Sequence, residues 1–421
     1  MPAASLETTL ELWSTTLRQA KHRIRPLFAA PSVAASANAF LDGLLGAERR
    51  KTGWMRAEAA GDPGPWRRQA LLGRSHWNAD ALRDGVRDHV IETLGVPEAV
   101  LVIDETGFLK QGHASCGVGR QYTGSAGKIT NGQIGVFAAY VSDKGHAFID
   151  RQLDLPKAWT GDPARMTAAH VPAGITFATK PHLALGMVAR AIAAGVPFAW
   201  VTADSVSGVG EIERALRRAD KGYVLGVTGQ HSFWSWGAEA EVSGTAEEIA
   251  TALVEEDWIR LSAGAGPKGP RLDDWADLEL ASLTADALDP TLDPTLDQSL
   301  WTRGLRVRRS LSDGSLAYFT TWCPAGTPIQ ELVAVEGRRW AIEDAFETAK
   351  TERGLAHNES RSWHGWRRHV SLVMLAFAML ARVRQVANGP PPKTALIATL
   401  AGSLVDAGDP ARRDPTGATA H

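Results

Sequence analysis

Cysteine is almost missing from this chain: Cys116 and Cys323 are the only two in 421 residues, with no Cys-x-x-Cys spacing. A disulfide framework and a thiolate zinc site are therefore disfavoured, and a reducing cytoplasm fits. Long apolar runs are also missing. The longest strongly apolar stretch, Val370 to Ala381, is too short to cross a bilayer and is flanked by arginines. No basic segment followed by an apolar one opens the chain, so no secretory signal is expected. Several catalytic motifs are lacking too. There is no Gly-x-Ser-x-Gly elbow and no His-Glu-x-x-His pair. The run Gly124 to Ile129 imitates a phosphate loop, yet Tyr122 stands where its first Gly belongs and Ile129 where Ser or Thr belongs. Gly208-Val209-Gly210 lacks the third Gly of a dinucleotide fingerprint. What is present is ordinary for a globular protein, with 44% hydrophobic and 22% charged residues, and the length predicts two or three domains.

A net charge of −2 conceals a division along the chain. Residues 1 to 90 carry 13 Lys and Arg against 9 Asp and Glu, whereas residues 245 to 300 carry 3 against 13. An acidic segment masks a basic remainder. Arginine outnumbers lysine 34 to 11, which phosphate recognition and a GC-rich genome explain equally well. Fifteen Trp residues are more than usual, and core or interface packing is their ordinary use.

The first ~95 residues read as helical. Leu41, Leu44 and Leu45 share a face, and Leu82, Val86, Val90 and Ile91 recur at helical spacing over 78–94, with Asn78 as cap. The turn Gly61 to Pro65 divides the two halves. After Gly95 the pattern becomes α/β. Strands are expected at 99–103, ending at Asp104, then at 132–141, 147–153, 198–202 and 223–227; helices are expected at 181–194 and 210–219. From about Ser232 to Trp301 the pattern breaks down around the repeat at 289–297, which reads as a surface insertion. A hairpin over 305–309 and 316–322 follows, then helices at 335–353 and 366–386.

Three acids stand where chemistry could be done. Asp104 and Asp204 each end an apolar strand, and Glu343 lies in a late amphipathic helix. Ligands of α/β sheets bind beyond the carboxyl ends of strands, so side chains there can converge. Converging carboxylates repel unless cations neutralise them, and carboxylates select hard cations such as Mg²⁺ or Mn²⁺. A single Asp at a strand end is most often only a loop or cap residue. The combination is what singles these three out.

The strings VLVIDETGFLK (100–110) and CGVGRQYTGSAGKITNGQIGVFAAYV (116–141) resemble insertion-sequence-701 family transposases, in the insertion-sequence-4-like branch of DDE enzymes. The likeness runs from about Phe28 to Arg384 and includes LDGLLGAERRKTGWMRAE (41–58) and TADSVSG (202–208). That branch carries a Tyr-x2-Arg-x3-Glu-x6-Lys signature at its third acid. Arg339, Glu343 and Lys350 fall on its last three positions, and Glu336 occupies the Tyr position.

The resemblance implies an RNase H-like mixed-sheet catalytic core in an α/β fold. A helical DNA-binding region would span 1–95 and the first part of the core 96–230. A strand-rich insertion with an acidic loop would span 231–325, the C-terminal core helices 326–388 and a disordered tail 389–421. It implies a DNA transposase that cuts and rejoins terminal inverted repeats and target DNA as a homodimer on paired ends, in the bacterial cytoplasm at the nucleoid and away from membranes. Asp104, Asp204 and Glu343 would be both catalytic and metal-binding, holding two Mg²⁺, with Mn²⁺ as the alternative. Arg339 and Lys350 would grip phosphates, Arg49, Arg50, Lys51, Arg67 and Arg68 would recognise the ends, and Lys128 would also meet DNA. An insertion-domain Trp that stacks on a flipped base would be Trp301 or Trp322. Two rivals stay open: a domesticated or decayed relative that binds DNA without cutting, and another RNase H-like nuclease such as a resolvase.

Overall fold

A computed structural model describes residues 6–204, 210–235, 242–266, 269–280 and 301–388. The repeat at 289–297, with the rest of 281–300, and the tail from 389 lie outside the described residues. Five helices come first: α1 (Leu6–Ile24), α2 (Pro31–Leu45), α3 (Gly53–Ala59), α4 (Trp66–Gly73) and α5 (Ala79–Leu94). Pro31 opens α2 at the first helical position, where its missing N–H costs nothing. Ala34, Ala37, Phe40, Leu41 and Leu44 then bury one stripe of that helix. Asn78 caps α5 by accepting from the Asp80 and Ala81 amides, and Leu82, Val86 and Val90 face inward.

The core sheet begins with β1 (Val100–Leu109), β2 (Gly119–Thr123), β3 (Lys128–Ser142) and β4 (Gly145–Leu153). Short helices α6 (Lys157–Thr160) and α7 (Pro163–Ala168) and the longer α8 (Lys180–Ala193) lead to β5 (Trp200–Ala203). Helix α9 (Glu211–Arg218) leads to β6 (Gly222–Val227). Strands β1, β5 and β6 run parallel, while β3 lies antiparallel to β1 and pairs with both β2 and β4. The order β4-β3-β1-β5-β6 is the mixed sheet expected of an RNase H-like core. One boundary differs from expectation in a way that matters. Strand β1 does not end at Asp104 but continues to Leu109, because β3 pairs with it as far as Leu109↔Gly132. Its parallel partner β5 stops at Ala203.

Beyond β6 come β7 (Ser232–Trp234), β8 (Ser243–Thr245), α10 (Ala246–Thr251), β9 (Ile259–Gly266), β10 (Gly269–Glu279), β11 (Trp301–Arg309) and β12 (Leu316–Pro324). Strands β12, β11, β10 and β9 extend the same sheet outward from β6, so this segment is continuous with the core by hydrogen bonding. A second, smaller apolar cluster around Phe233, Leu305 and Val307 serves it.

The chain then returns as α11 (Ile329–Gly337), α12 (Trp340–Thr351) and α13 (Trp363–Asn388). The single helix expected over 335–353 is broken at Arg338–Arg339. Gly337 ends α11 because β9 crosses so close that a Cβ there would lie 1.9 Å from the Ala263 carbonyl oxygen. Arg271 fastens this crossing by donating to the carbonyls of Ala263 and Gly337, at 2.7 and 2.9 Å. Gly337→Ala is accordingly expected to destabilise the protein by roughly 1–3 kcal/mol, as overpacking against fixed backbone does. A urea midpoint unchanged from the parent would refute that account.

The middle of helix α13 is apolar almost all round, as a central helix must be, and residues 370–379 are each 3% exposed or less. By length and composition it is the one helix among the described residues that could cross a membrane, but 67% of its most apolar window is buried inside the protein. It packs on α1, α2, α4, α5 and β4, joining the helical region to the sheet.

Candidate active site

Asp104 and Asp204 are neighbours because of strand register. Ile103 pairs with Ala203 across the parallel β1–β5 ladder, and each is followed directly by one of the two acids. Paired residues of adjacent parallel strands stand about 4.8 Å apart, so Asp204, one residue past the end of the ladder, lies near enough for its charge to act on Asp104. Helix α12 packs on β1 and carries Glu343 over that face. The connection is Arg339, whose Nη1 lies 2.9 Å from Glu343 Oε1 and 3.9 Å from Asp104 Oδ2. Asp104, Glu343 and Asp204 thus share the field of one guanidinium, and together with Glu336 they raise its affinity for the proton against the effect of burial.

Asp104 is the perturbed acid. Burial pushes its carboxyl up to about 7, and the charges of Asp204 and Glu343 push the same way. The Glu105 amide, which donates to Oδ1 at 2.7 Å, and Arg339 oppose this without cancelling it. A carboxylate held out of water beside two others is a donor set with the hardness a divalent cation prefers. Among the described residues, however, no three His, Cys, Asp or Glu side chains are drawn together closely enough to hold a metal ion. Arg339 is the cation that Asp104 and Glu343 face instead. The neighbouring acids of α12 are turned elsewhere: Asp344 lies 3.4 Å from His146 Nε2, and Glu347 is exposed.

Lys350, two turns beyond Glu343, reaches back to the sheet. Its Nζ donates to the Gly107 carbonyl at 3.1 Å and to Ser125 Oγ at 2.7 Å, and burial lowers its pKa to about 8. Lys128 is exposed at the start of β3, just beyond the turn that holds Ser125. Arg49, Arg50 and Arg67 are exposed on the helical region.

Two residues expected to contact DNA at the surface are not at the surface. Lys51 is 1% exposed: its ammonium donates to the Gly46 carbonyl at 2.5 Å, and its amide donates to His357 Nδ1 at 2.9 Å. Arg68 is 2% exposed and paired with Asp62. Both come from basic runs that looked solvated, but Lys51 is held against the loop at His357 and Arg68 is turned inward onto Asp62. Glu336, at the Tyr position, is also buried and accepts from Arg308 of β11 at 3.1 Å, tying the extended sheet to α11. Trp301 and Trp322 stack on each other with centroids 5.7 Å apart and planes 8° from parallel. Missing from the sequence reading was the pair Lys180–Glu105, 2.6 Å apart beside the site, since nothing in the spacing of residues 75 apart announces it.

Known proteins share this arrangement of sequence. The family model described as DDE superfamily endonuclease matches residues 25–245, a span just over half the chain that includes Asp104 and Asp204 but not Glu343. The protein named probable transposase for insertion sequence element IS701, from Microchaete diplosiphon, is 30% identical over 139 residues. That alignment covers 33% of this chain and 33% of the relative, so the chain matches about a third of the relative's length.

Proposed function

The chain belongs to the DDE superfamily of endonucleases, and from that premise we propose that it is an insertion-sequence transposase whose active centre is Asp104, Asp204 and Glu343. It would cut at terminal inverted repeats and rejoin the ends to target DNA, acting as a homodimer on paired ends at the bacterial nucleoid. The observation that carries the reading is the convergence of Asp104 and Glu343 on one guanidinium, beside the strand that delivers Asp204. Asp104, Asp204 and Glu343 would have to draw closer than they stand here to hold Mg²⁺, or Mn²⁺ in its place, and the bound ion would supply the Lewis acidity that activates water and then a 3′-hydroxyl against a phosphodiester.

The remaining residues have separate tasks. Asp104, buried and raised to about 7, gives up its proton readily near neutral pH and is held in place by the Glu105 amide. Arg339 offsets the repulsion among the acids, and a scissile phosphate beside them would be within its reach. Lys350 fixes the Ser125 turn to β1, leaving Lys128 exposed beside it to meet the strand. Arg49, Arg50 and Arg67 supply the exposed positive charge of the helical region.

The test is cleavage of DNA carrying the element's flanking repeats. Glu343→Gln is expected to abolish cutting while end binding persists, since binding draws mainly on Lys and Arg contacts. Near-normal cutting by that variant would remove Glu343 from the site, and wild-type binding without cutting would favour the domesticated reading. Arg339→Ala should lower the slope of log affinity against log salt by roughly 0.9 on duplex DNA. If Arg339 only pairs with Glu343, the slope stays unchanged.

A further inference from the structure

Where α3 and α4 meet the loop that follows α12 there is a cavity of about 700 Å³. The active-centre acids do not line it. Its walls carry Arg56, Arg68, Arg165 and Arg361 with five histidines, against the single carboxylate of Glu359. Two of these arginines are buried and incompletely partnered. Arg56 is 3% exposed; its Nε donates to the Thr52 carbonyl and its guanidinium lies 3.7 Å over the Phe40 ring, but its Nη1 has no partner. Arg68 is 2% exposed and pairs with Asp62 through Nη1, leaving Nε and Nη2 without partners. Buried guanidinium groups left unpaired are costly, so the cavity is short of an anion. Burial and the charge of Arg68 push Arg56 down to about 9, as that shortage requires. Three of the histidines add hydrogen-bonding capacity rather than charge: burial holds His369 near 3, and burial lowers His357 and His364 as well.

The two helices that supply Arg56 and Arg68 also expose Trp54 (61%) and Trp66 (56%), with Arg67 beside them. The Trp66 ring covers Gly64 on one side, and its exposed side, like Trp54, offers an aromatic face near clustered positive charge, the combination by which unpaired nucleic acid strands are held. A free phosphate would need the guanidinium groups but not the indoles. The cavity volume lies within the range that encloses a ligand of nucleotide size.

We propose that this cavity receives one nucleotide of an unpaired DNA strand, its phosphate against Arg56 and Arg68 and its neighbouring bases on Trp54 and Trp66. The inference rests on the DNA reading above and adds to it a second strand-holding site away from the acids. Such a site would keep one strand of an opened end apart from the strand being cut.

The test uses the full chain and a short fluorescein-labelled single strand of mixed sequence, with anisotropy read over a series of salt concentrations. Arg361→Ala and Arg56→Gln should each weaken binding about tenfold and lower the salt slope by roughly 0.7. Trp66→Ala should weaken binding about tenfold with the slope unchanged. Arg361 and Trp66 are exposed, so a thermal melt should find both variants folded even if Arg56→Gln is not. Wild-type affinity and slope in both of these variants would overturn the proposal. Inorganic phosphate that binds the parent but not Arg361→Ala, with strand binding equal in the two, would mark a site for a free anion and overturn it as well. No cutting is needed for this readout. Cleaved ends with unaltered strand binding would sink this inference alone, and lost strand binding in a protein that never cuts would sink only the transposase reading.

Discussion

Asp104→Asn is expected to lower DNA cleavage roughly a thousandfold or more, the several kcal/mol of transition-state stabilisation that a lost metal ligand removes. The same change should make the metal-free protein more stable. Burial, with Asp204 and Glu343 adding to it, raises the folded-state pKa of Asp104 to about 7. The unfolded value is about 3.9, so the folded state holds the extra proton between these limits and stability falls as pH rises from about 4 to 7. Asn carries no charge to desolvate. At pH 8 its advantage should be on the order of 2–4 kcal/mol, shrinking to little below pH 4. Urea unfolding at pH 5 and pH 8, read beside a cleavage assay, separates the two effects. Equal stability of parent and variant at pH 8 would mean that Asp104 is not held ionised at a cost. Near-normal cleavage would take it out of the centre altogether. If a cation must displace that proton, divalent-cation affinity should also climb as pH rises toward 7 and level off above it.

The trade between stability and activity proposed for Asp104 would account for the acids being legible before the fold was. An aspartate after AVLVI violates the apolar pattern of a buried strand, and violations of local pattern gather at functional sites. The second violation, after FAWVT, lies in register with the first, a relation that two strands separated by 100 residues can acquire only through pairing. The strands and helices of the core followed from apolar runs, whereas their arrangement as one mixed sheet was implied only by the family resemblance. Less legible was the segment after β6. Strands β9 and β10 alternate poorly, with Gly264, Gly266 and Gly269 among them, and their place at the sheet's outer edge is decided by pairing with β11 rather than by propensity. The break at Gly337 was hidden for a similar reason, since a tertiary approach by the Ala263 carbonyl overrides an otherwise helical pattern.

Charge was the hardest property to read locally. Lys51 and Arg68 are indistinguishable by sequence from Arg49, Arg50 and Arg67, yet the first two are buried and the other three exposed. Asp80 shows the same ambiguity in an acid. At the start of α5 it reads as a residue that favours the positive end of the helix dipole. In the fold it is the point on which three arginines from three elements converge.

Removing that point should give the largest loss of stability of any single substitution at the surface of α5. Arg151 of β4 is fully buried; its Nη1 donates to Asp80 Oδ1 at 3.0 Å, its Nη2 to the Ala79 carbonyl at 2.9 Å and its Nε to Ser371 Oγ at 3.2 Å. Arg367 of α13 and Arg83 of α5 pair with the same carboxylate. Burial alone would raise the Asp80 carboxyl, but Arg151, Arg367 and Arg83 outweigh it and hold it below the ordinary range. Asp80→Ala leaves the buried Arg151 without its carboxylate, a change that costs roughly 3–5 kcal/mol when no water can take the partner's place. Asp80 keeps partial access to solvent and Asp150 lies close to Arg151, so the lower end of that range is expected here. Because the folded pKa is depressed, the contribution is present above the unfolded value of about 3.9 and disappears as pH falls below it. Parent and Asp80→Ala should therefore differ widely at pH 7 and converge in acid. Adding Arg151→Met should restore part of the loss, since it replaces an unpaired buried cation by an apolar chain of similar length. A urea midpoint at pH 7 that barely moves in Asp80→Ala would show that Asp150 alone suffices for Arg151. A double variant weaker than either single change would mean that packing around Arg151, not its charge, is what Asp80 sustains.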